Sequence, residues 1–498
     1  MCPPTSGSTS SASSTSSHPP CPPPAPAPTP PRHGRMPPAA AAAGAAGRAH
    51  LAVLAGVQGG LLLGFTMGFT GPVKGPLLAD FPDLPWAWFA SVVNIGAVAG
   101  SLLARRLNDE VGRKATLQLF GIPAAVGWAN LAAGFGSGQM LFGRVLTGVG
   151  VGGMSTACPM FVAEVAPAKD RGFYGSWYQI AVTVGILLAY VCGLPALAHA
   201  WRYVSVAGLC LNLKLMATLQ LVPESPRFLA KAGRPAEGRA ALAWLRGGEA
   251  EAEREFKEIA AGLAGDGGGG GAGAATASWR DLARPGYRLP VLIGVCATVF
   301  QQTCGINSFI MFTDDILKSK ALGVGVMLVQ VAATACALPF VDRAGRRPML
   351  IVSNALMGAT AAGLGFIVRR TPVAELAGAS QTLAAASVML YIAGFSLAMG
   401  PVVWLLVGEV FPSPVRSLAT SLATCAVWLM SWLVTWSFSA LQRWSEPGTF
   451  WIYAGMTGVC AAFVAVVVPE TKGRSLEEIE RLFLRRGGRG EAARLLDA

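Results

Sequence analysis

Runs of about 18 or more apolar residues recur along this chain, each long enough for a helix to cross a hydrocarbon core of ~30 Å. Water is absent from that core, so every backbone N–H and C=O in a run needs an internal partner, and a helix supplies one. Twelve such spans fall near residues 50–70, 86–104, 116–135, 140–163, 177–197, 201–221, 290–312, 322–340, 347–368, 383–407, 417–441 and 450–468. Only 13% of the residues are charged, about half the share in soluble domains, which excludes that class. The predicted fold is an all-α polytopic membrane protein with twelve transmembrane helices.

The spans divide the chain. Residues 1–47 form a Pro/Ser/Ala-rich tail without Asp or Glu, expected to be disordered. A six-span bundle follows over 48–222, then a polar linker over 223–288, a second bundle over 289–468 and a tail over 469–498. The linker holds a charged helix-forming piece from Pro235 to Leu263 and a glycine-rich stretch from Gly265 to Gly273. The net charge of +12 does not imply nucleic acid, because most of the basic residues lie in loops on one side of the spans. By the positive-inside bias, both termini and the linker face the cytosol. The acid-poor start also fits a plastid transit segment, but its arginines are few and a plain tail is the expectation. The ten cysteines show no CxxC spacing and are expected to pack as small apolar groups, not to bind metal or pair.

The chain also repeats itself. DEVGRK from Asp109 returns as DRAGRR from Asp342, EVAPAKDR from Glu164 as EVFPSPVR from Glu409, and PESPR from Pro223 as PETKGR from Pro469. The offsets are 233, 245 and 246, nearly constant, so the chain is two homologous halves of six spans. Parallel halves of this kind serve rocking secondary transporters, with substrate at midplane between them. The charges Asp109, Arg113, Lys114, Glu164 and Arg171, with Asp342, Arg346, Arg347, Glu409 and Arg416, are too polar for lipid and must lie at the cytosolic edge. They are expected to form a latch that joins the cytosolic ends of the halves in one state and releases in the other.

Polar side chains within spans are costly and mark candidate sites. Gln179, Gln301, Gln302, Asn307 and Gln330 are uncharged amides, and Trp404 and Trp428 are indoles. Amides donate and accept, as hydroxyl groups do, and an indole face suits the apolar side of a sugar ring. A neutral polyol fits this set. Gln301, Gln302 and Asn307 do not share a face of an ideal helix, but Gly305 between them allows local unwinding that gathers them. Gly400-Pro401 predicts a kink or hinge.

These motifs resemble the sugar porter branch of the major facilitator superfamily from about Leu51 to Phe483. The matches are GRxxxGxGxG from Gly143, PMFVAEVAP from Pro159, PESPRFL from Pro223, QQTCGIN from Gln301, DRAGRR from Asp342, GPVVW from Gly400 and PETKGRSLEEIE from Pro469. The resemblance implies two six-helix bundles, a cytosolic helical domain between them, and alternating access for monosaccharides without a cofactor. It carries sugar binding onto Gln179, Val182, Ile186, Gln301, Gln302, Ile306, Asn307, Phe395, Gly400, Trp404 and Trp428, with Gln330 where the family often has Asn. That glutamine and GFTMGFTGP from Gly64 are similar to plant dehydration-induced facilitators of the vacuole and to animal intracellular relatives.

Proton-coupled members carry an aspartate in the first span where this chain has Thr66, which implies passive uniport. Val427 stands where the family has Asn before Trp428, Met311-Phe312 replace an aromatic pair, and Arg105 replaces a glycine. The alternatives are a proton–sugar symporter using another acid and a sugar-binding sensor with little flux. An enzyme is not expected: the sequence has no Ser/His/Asp set, metal cluster or phosphate loop. The expected partners are a monosaccharide and the bilayer, with the protein active as a monomer in a vacuolar, endomembrane or plasma membrane, less readily in a plastid envelope.

Overall fold

The computed structural model describes residues 38–167, 170–194, 199–265 and 279–474, together with 478, 479 and 483. At 38–46, 171, 264–265, 285, 341–342 and 413 the backbone alone is described. The sequence start, most of the glycine-rich stretch and the final residues lie outside this set.

Every regular element among the described residues is a helix. The first half comprises α1 (Pro38–Gly68), α2 (Thr70–Asp80), α3 (Trp86–Glu110), α4 (Arg113–Ala133), α5 (Ser137–Val165), α6 (Arg171–Cys192) and α7 (Ala200–Gln220). The linker forms α8 (Pro226–Lys231), α9 (Pro235–Arg246) and α10 (Glu249–Gly265). The second half comprises α11 (Pro285–Thr303), α12 (Ile306–Met311), α13 (Thr313–Leu317), α14 (Lys320–Ala344), α15 (Arg346–Arg370), α16 (Gly378–Gly394), α17 (Pro401–Val410), α18 (Arg416–Trp444) and α19 (Glu446–Val466).

Among the described residues, ten helical stretches have the length and hydropathy to cross a membrane. The other two spans are α4 and α7, of 21 residues each, made less apolar by Arg113, Lys114, Gln118 and Asn130 and by Arg202 and Lys214. Each packs one face on the first half, where Trp128 and Trp201 are fully buried, and leaves the other exposed. The first helix begins at Pro38, earlier than the tail boundary at residue 47 expected from composition. Its extra turns are nearly all alanine, the strongest helix former, so they continue the span behind them.

The halves repeat in space as in sequence. The pairings α1 with α6, α4 with α7 and α4 with α5 recur as α11 with α18, α15 with α19 and α15 with α16. Close approach of α1 to α6 depends on Gly64, where an added Cβ would lie 1.8 Å from the Val182 carbonyl oxygen. Between the halves, α3 packs on α18 and α6 on α14, which are equivalent contacts under the repeat.

The end bearing the Asp109 and Asp342 motifs is called here the motif end. The halves are joined at midspan and at the opposite end. There Lys74 of α2 pairs with Asp315 of α13 at 2.6 Å, and the Lys320 ammonium donates to the Gly193 carbonyl at 2.9 Å. Trp88 of α3 packs against Trp432 and Trp436 of α18, with ring centroids 6.3 Å away in each case. At the motif end the linker is fastened to the first half. Arg246 pairs with Glu255 at 2.7 Å and donates to the carbonyls of Val165 and Ala166, which end α5.

Candidate functional site

The seventh span breaks where the sequence places Gly305. Its φ of +96° is left-handed, and an added Cβ would also meet the Tyr453 ring at 2.7 Å, so glycine is required twice over. The break ends α11 at Thr303 and restarts the helix at Ile306. The Cys304 carbonyl loses its helical partner and accepts from the Tyr391 hydroxyl at 2.6 Å. The consequence is the gathering expected from sequence: the Asn307 amide donates to the Gln302 side-chain oxygen at 2.7 Å, and the Gln302 amide lies 3.4 Å from the Gln301 oxygen.

The tenth span breaks at the matching depth. Residues Phe395–Met399 form a π-helical turn, the Gly400 N–H reaches back to the Phe395 carbonyl at 2.9 Å, and Pro401 begins α17. Carbonyls at this kink turn outward, and the Gln301 amide donates to those of Met399 and Gly400 at 2.6 and 3.2 Å. Two broken helices are thereby tied together by one glutamine. These buried amides satisfy one another, and each of their bonds is one that a sugar hydroxyl can replace.

The remaining predicted residues lie on α6, α12, α14, α17 and α18 and at the π-helical turn. Ile306 and Phe395 are buried beside the breaks, and Trp428 on α18 is buried as well. Gln179, Val182 and Ile186 lie three and four residues apart on α6, along one face. Gln330 on α14, the helix packed against α6, is buried with its side-chain oxygen unpartnered among the described residues. Trp404 on α17 leaves 39% of its surface uncovered.

In the first half, Thr66 is fully buried and its hydroxyl donates to the Leu62 carbonyl at 2.7 Å, within its own helix. The Thr66 carbonyl accepts from Arg144 of α5 at 3.2 Å. Arg144 is completely buried, donates to the Thr70 hydroxyl and the Phe89 carbonyl at 2.9 and 3.3 Å, and lies between the rings of Phe69 and Phe89. Among the described residues no carboxylate pairs with it. The sequence reading missed Arg144, although a cation inside a span was signal enough. It also missed Asn94 and Ser431, whose polarity at midspan marks them by the rule that picked Gln330.

The motif end holds two copies of one cluster. Arg113 pairs with Glu164 at 2.9 Å, and Arg346 with Glu409 at 3.1 Å. Ser225 donates to Glu164, and Thr471 donates to Glu409 at 2.6 Å. Glu224 accepts from the first backbone amides of α4, and Glu470 does the same for α15, where carboxylates are favoured. Burial pushes the Glu470 carboxyl up, but the amides of Lys472, Arg346 and Arg347 outweigh it and hold the group below its usual range.

In this conformation each of these ion pairs lies within one half, because its glutamate sits on the helix beside its arginine. Lys114 donates to the Val222 carbonyl at 2.8 Å, Arg347 to that of Ala465, Arg416 to that of Phe411 at 3.1 Å, and Asp109 pairs with Lys231 of the linker at 3.0 Å. The side chains of Arg171 and Asp342 lie outside the described residues.

Two repeated six-helix halves, meeting around uncharged amides at paired helix breaks, define a secondary transporter of the major facilitator type. The sequence profile described as "Sugar (and other) transporter" matches residues 46–483. The chain is 34% identical to Sugar transporter ERD6-like 6 of Arabidopsis thaliana, over 86% of this chain and 89% of that one. It is also 34% identical to the facilitated glucose transporter member 8 of solute carrier family 2 from Mus musculus, over 88% and 94%. Its fold is similar to the inward open conformation of the xylose transporter XylE from E. coli, with a TM-score of 0.73 at 27% identity over 86% and 98% of the chains. The same transporter, as a proton:xylose symporter bound to 6-bromo-6-deoxy-D-glucose, matches with a TM-score of 0.70 at 26% identity over 88% and 99%. The chain belongs to the sugar transporter family: it is a multi-pass membrane transporter of the major facilitator superfamily, and not an enzyme.

Proposed function

We propose that this protein carries a monosaccharide, a hexose such as glucose, passively across its membrane by alternating access. The observation that carries the passive reading is the surrounding of Arg144. A buried guanidinium beside Thr66 is held by neutral oxygens and aromatic faces, and among the described residues no carboxylate pairs with it to exchange a proton. The amide chain of Gln301, Gln302 and Asn307 supplies donors and acceptors for sugar hydroxyls, and Trp404 supplies the stacking face. A relative named for facilitated glucose transport supports the same reading.

The opposite end is closed here by Lys74–Asp315 and the tryptophan contacts, so sugar exchanges with the motif end in this conformation. With basic residues concentrated there, the motif end is the cytosolic one. The paired clusters at Arg113–Glu164 and Arg346–Glu409 make each half a rigid unit, and the halves rock against each other across the α3–α18 and α6–α14 contacts, which part at one end as the other closes. The likeness of Gln330 and GFTMGFTGP to the pattern of plant dehydration-induced facilitators favours an internal membrane such as the vacuole's.

A symport reading has one observation on its side: Asp314 is a buried acid whose two oxygens lack partners among the described residues. It sits beside α14 at the opposite end, away from the amides, and fits a gate better than a coupling site. Counterflow of labelled glucose, fructose and galactose in proteoliposomes, with and without a pH gradient, tests the proposal. Saturable exchange that a pH gradient does not drive is expected; sugar accumulation against its gradient, driven by protons, overturns it.

A further inference from the structure

The amides of the sugar site do not end at Asn307. That residue's amide donates a second bond, to the Ser431 hydroxyl at 2.6 Å. Ser431, on α18 of the second half, passes its own proton to the Asn94 side-chain oxygen at 2.9 Å. Asn94 lies on α3 of the first half and is anchored by donating to the Ser91 carbonyl at 3.1 Å. Asn94 and Ser431 are both essentially fully buried, where a polar group without a partner is costly. A single line of hydrogen bonds thus runs from the sugar amides across the boundary between halves.

The direction of the donors matters. Asn307 has two N–H bonds, and both are occupied, by Gln302 and by Ser431. Ser431 has one proton, spent on Asn94. When α3 and α18 part to open the opposite end, Asn94 withdraws and that proton needs another acceptor. The nearest are a carbonyl of its own helix, the usual resort of a helical serine, or the side chain of Asn307. In either case Asn307 presents different hydrogen-bonding capacity to a ligand in the two states. A ligand that binds the two states unequally shifts their populations by that difference, and the shift is reciprocal.

We infer that Asn94 and Ser431 are positioning residues that couple sugar occupancy at Asn307 to the α3–α18 contact closing the opposite end. The inference rests on the proposed sugar site for its second half only; the bond between the halves stands without it. Loss of one buried neutral hydrogen bond is worth about 0.5–1.5 kcal/mol, so removing it shifts the ratio of open to closed states at the opposite end by about 2- to 12-fold.

The test is hydrogen–deuterium exchange of the full-length protein in lipid nanodiscs, read on peptides spanning 70–80 and 313–317. Without sugar, Ser431→Ala and Asn94→Leu each accelerate exchange there. The double variant is no faster than the faster single one, because both remove the same bond. Ser431→Thr keeps the hydroxyl and stays near wild type, which separates lost coupling from general loosening. With glucose at saturation, the exchange response of the wild type falls at least two-fold in Asn94→Leu. Unchanged exchange in both single variants, strictly additive effects, or loss of wild-type behaviour in Ser431→Thr overturns the inference. A sugar-free result as expected, with no saturable binding of any hexose, leaves the gate bond standing and sinks the proposed function instead.

Discussion

The Arg144 guanidinium touches the backbone carbonyl of Thr66 at 3.2 Å, in a fully buried site where the Thr66 side chain turns back onto its own helix. A carboxylate at residue 66 would meet that fixed positive charge. Thr66→Asp is therefore expected to create a proton-linked ion pair: sugar addition to the variant alkalinises the outside medium, and the wild type leaves its pH unchanged. A wild type that alkalinises the medium by itself would remove the basis for uniport.

Gln301 fastens the kink at Gly400 and lends its oxygen to Gln302. Gln301→Ala removes these bonds, worth about 1–3 kcal/mol together, and is expected to raise the Michaelis constant for glucose about 5- to 160-fold. Trp404→Ala removes the stacking face and is expected to weaken binding by a similar order at its lower end. Both variants should reach the membrane in normal amounts, as judged by surface labelling alongside counterflow.

The Arg346–Glu409 pair is largely buried, with side chains 10% and 19% exposed. Glu409→Gln leaves the guanidinium short of its counter-charge, and breaking a buried pair in this way costs about 3–5 kcal/mol. The expected result is a clear fall in thermal midpoint. Arg346→Met together with Glu409→Gln should lose less than the sum of the single changes, which a double-mutant cycle measures directly.

Asp314, on α13 beyond the seventh span, has its carboxyl raised to about 7: burial pushes it up, Lys320 opposes and Asp315 adds to the rise. Tyr190 of α6 and Gly323 of α14 close around it, and Lys74 faces its neighbour Asp315. Opening the opposite end hydrates this group and returns it toward its ordinary value near 4. The closed state thus holds the extra proton between about pH 4 and pH 7, so its advantage is full at low pH and is lost as pH rises through 7. Exchange on residues 313–317 should quicken from pH 6 to pH 8, after correction for intrinsic rates, and Asp314→Asn should flatten the difference.

Much of this protein was written in one dimension. Spans, halves and the helix break at Gly305 follow from hydropathy, near-constant offsets between motifs and a glycine amid amides, because lipid leaves a backbone few choices. The π-helical turn at Phe395–Met399 was not legible beyond a kink at Pro401, since its geometry depends on which side chain donates to the freed carbonyls, and that is Gln301 from a helix far away in sequence. The charge motifs were found from sequence, but their pairing within each half was not. Arginine and glutamate types allow either arrangement, and the packing of α4 on α5 decides it. Arg144, Asn94 and Ser431 likewise acquire meaning only from their neighbours. Sequence alone fixes where polarity is buried; which polar group meets which is decided when the two halves fold against each other, because a hydrogen bond requires an approach within about 3 Å that no linear spacing encodes.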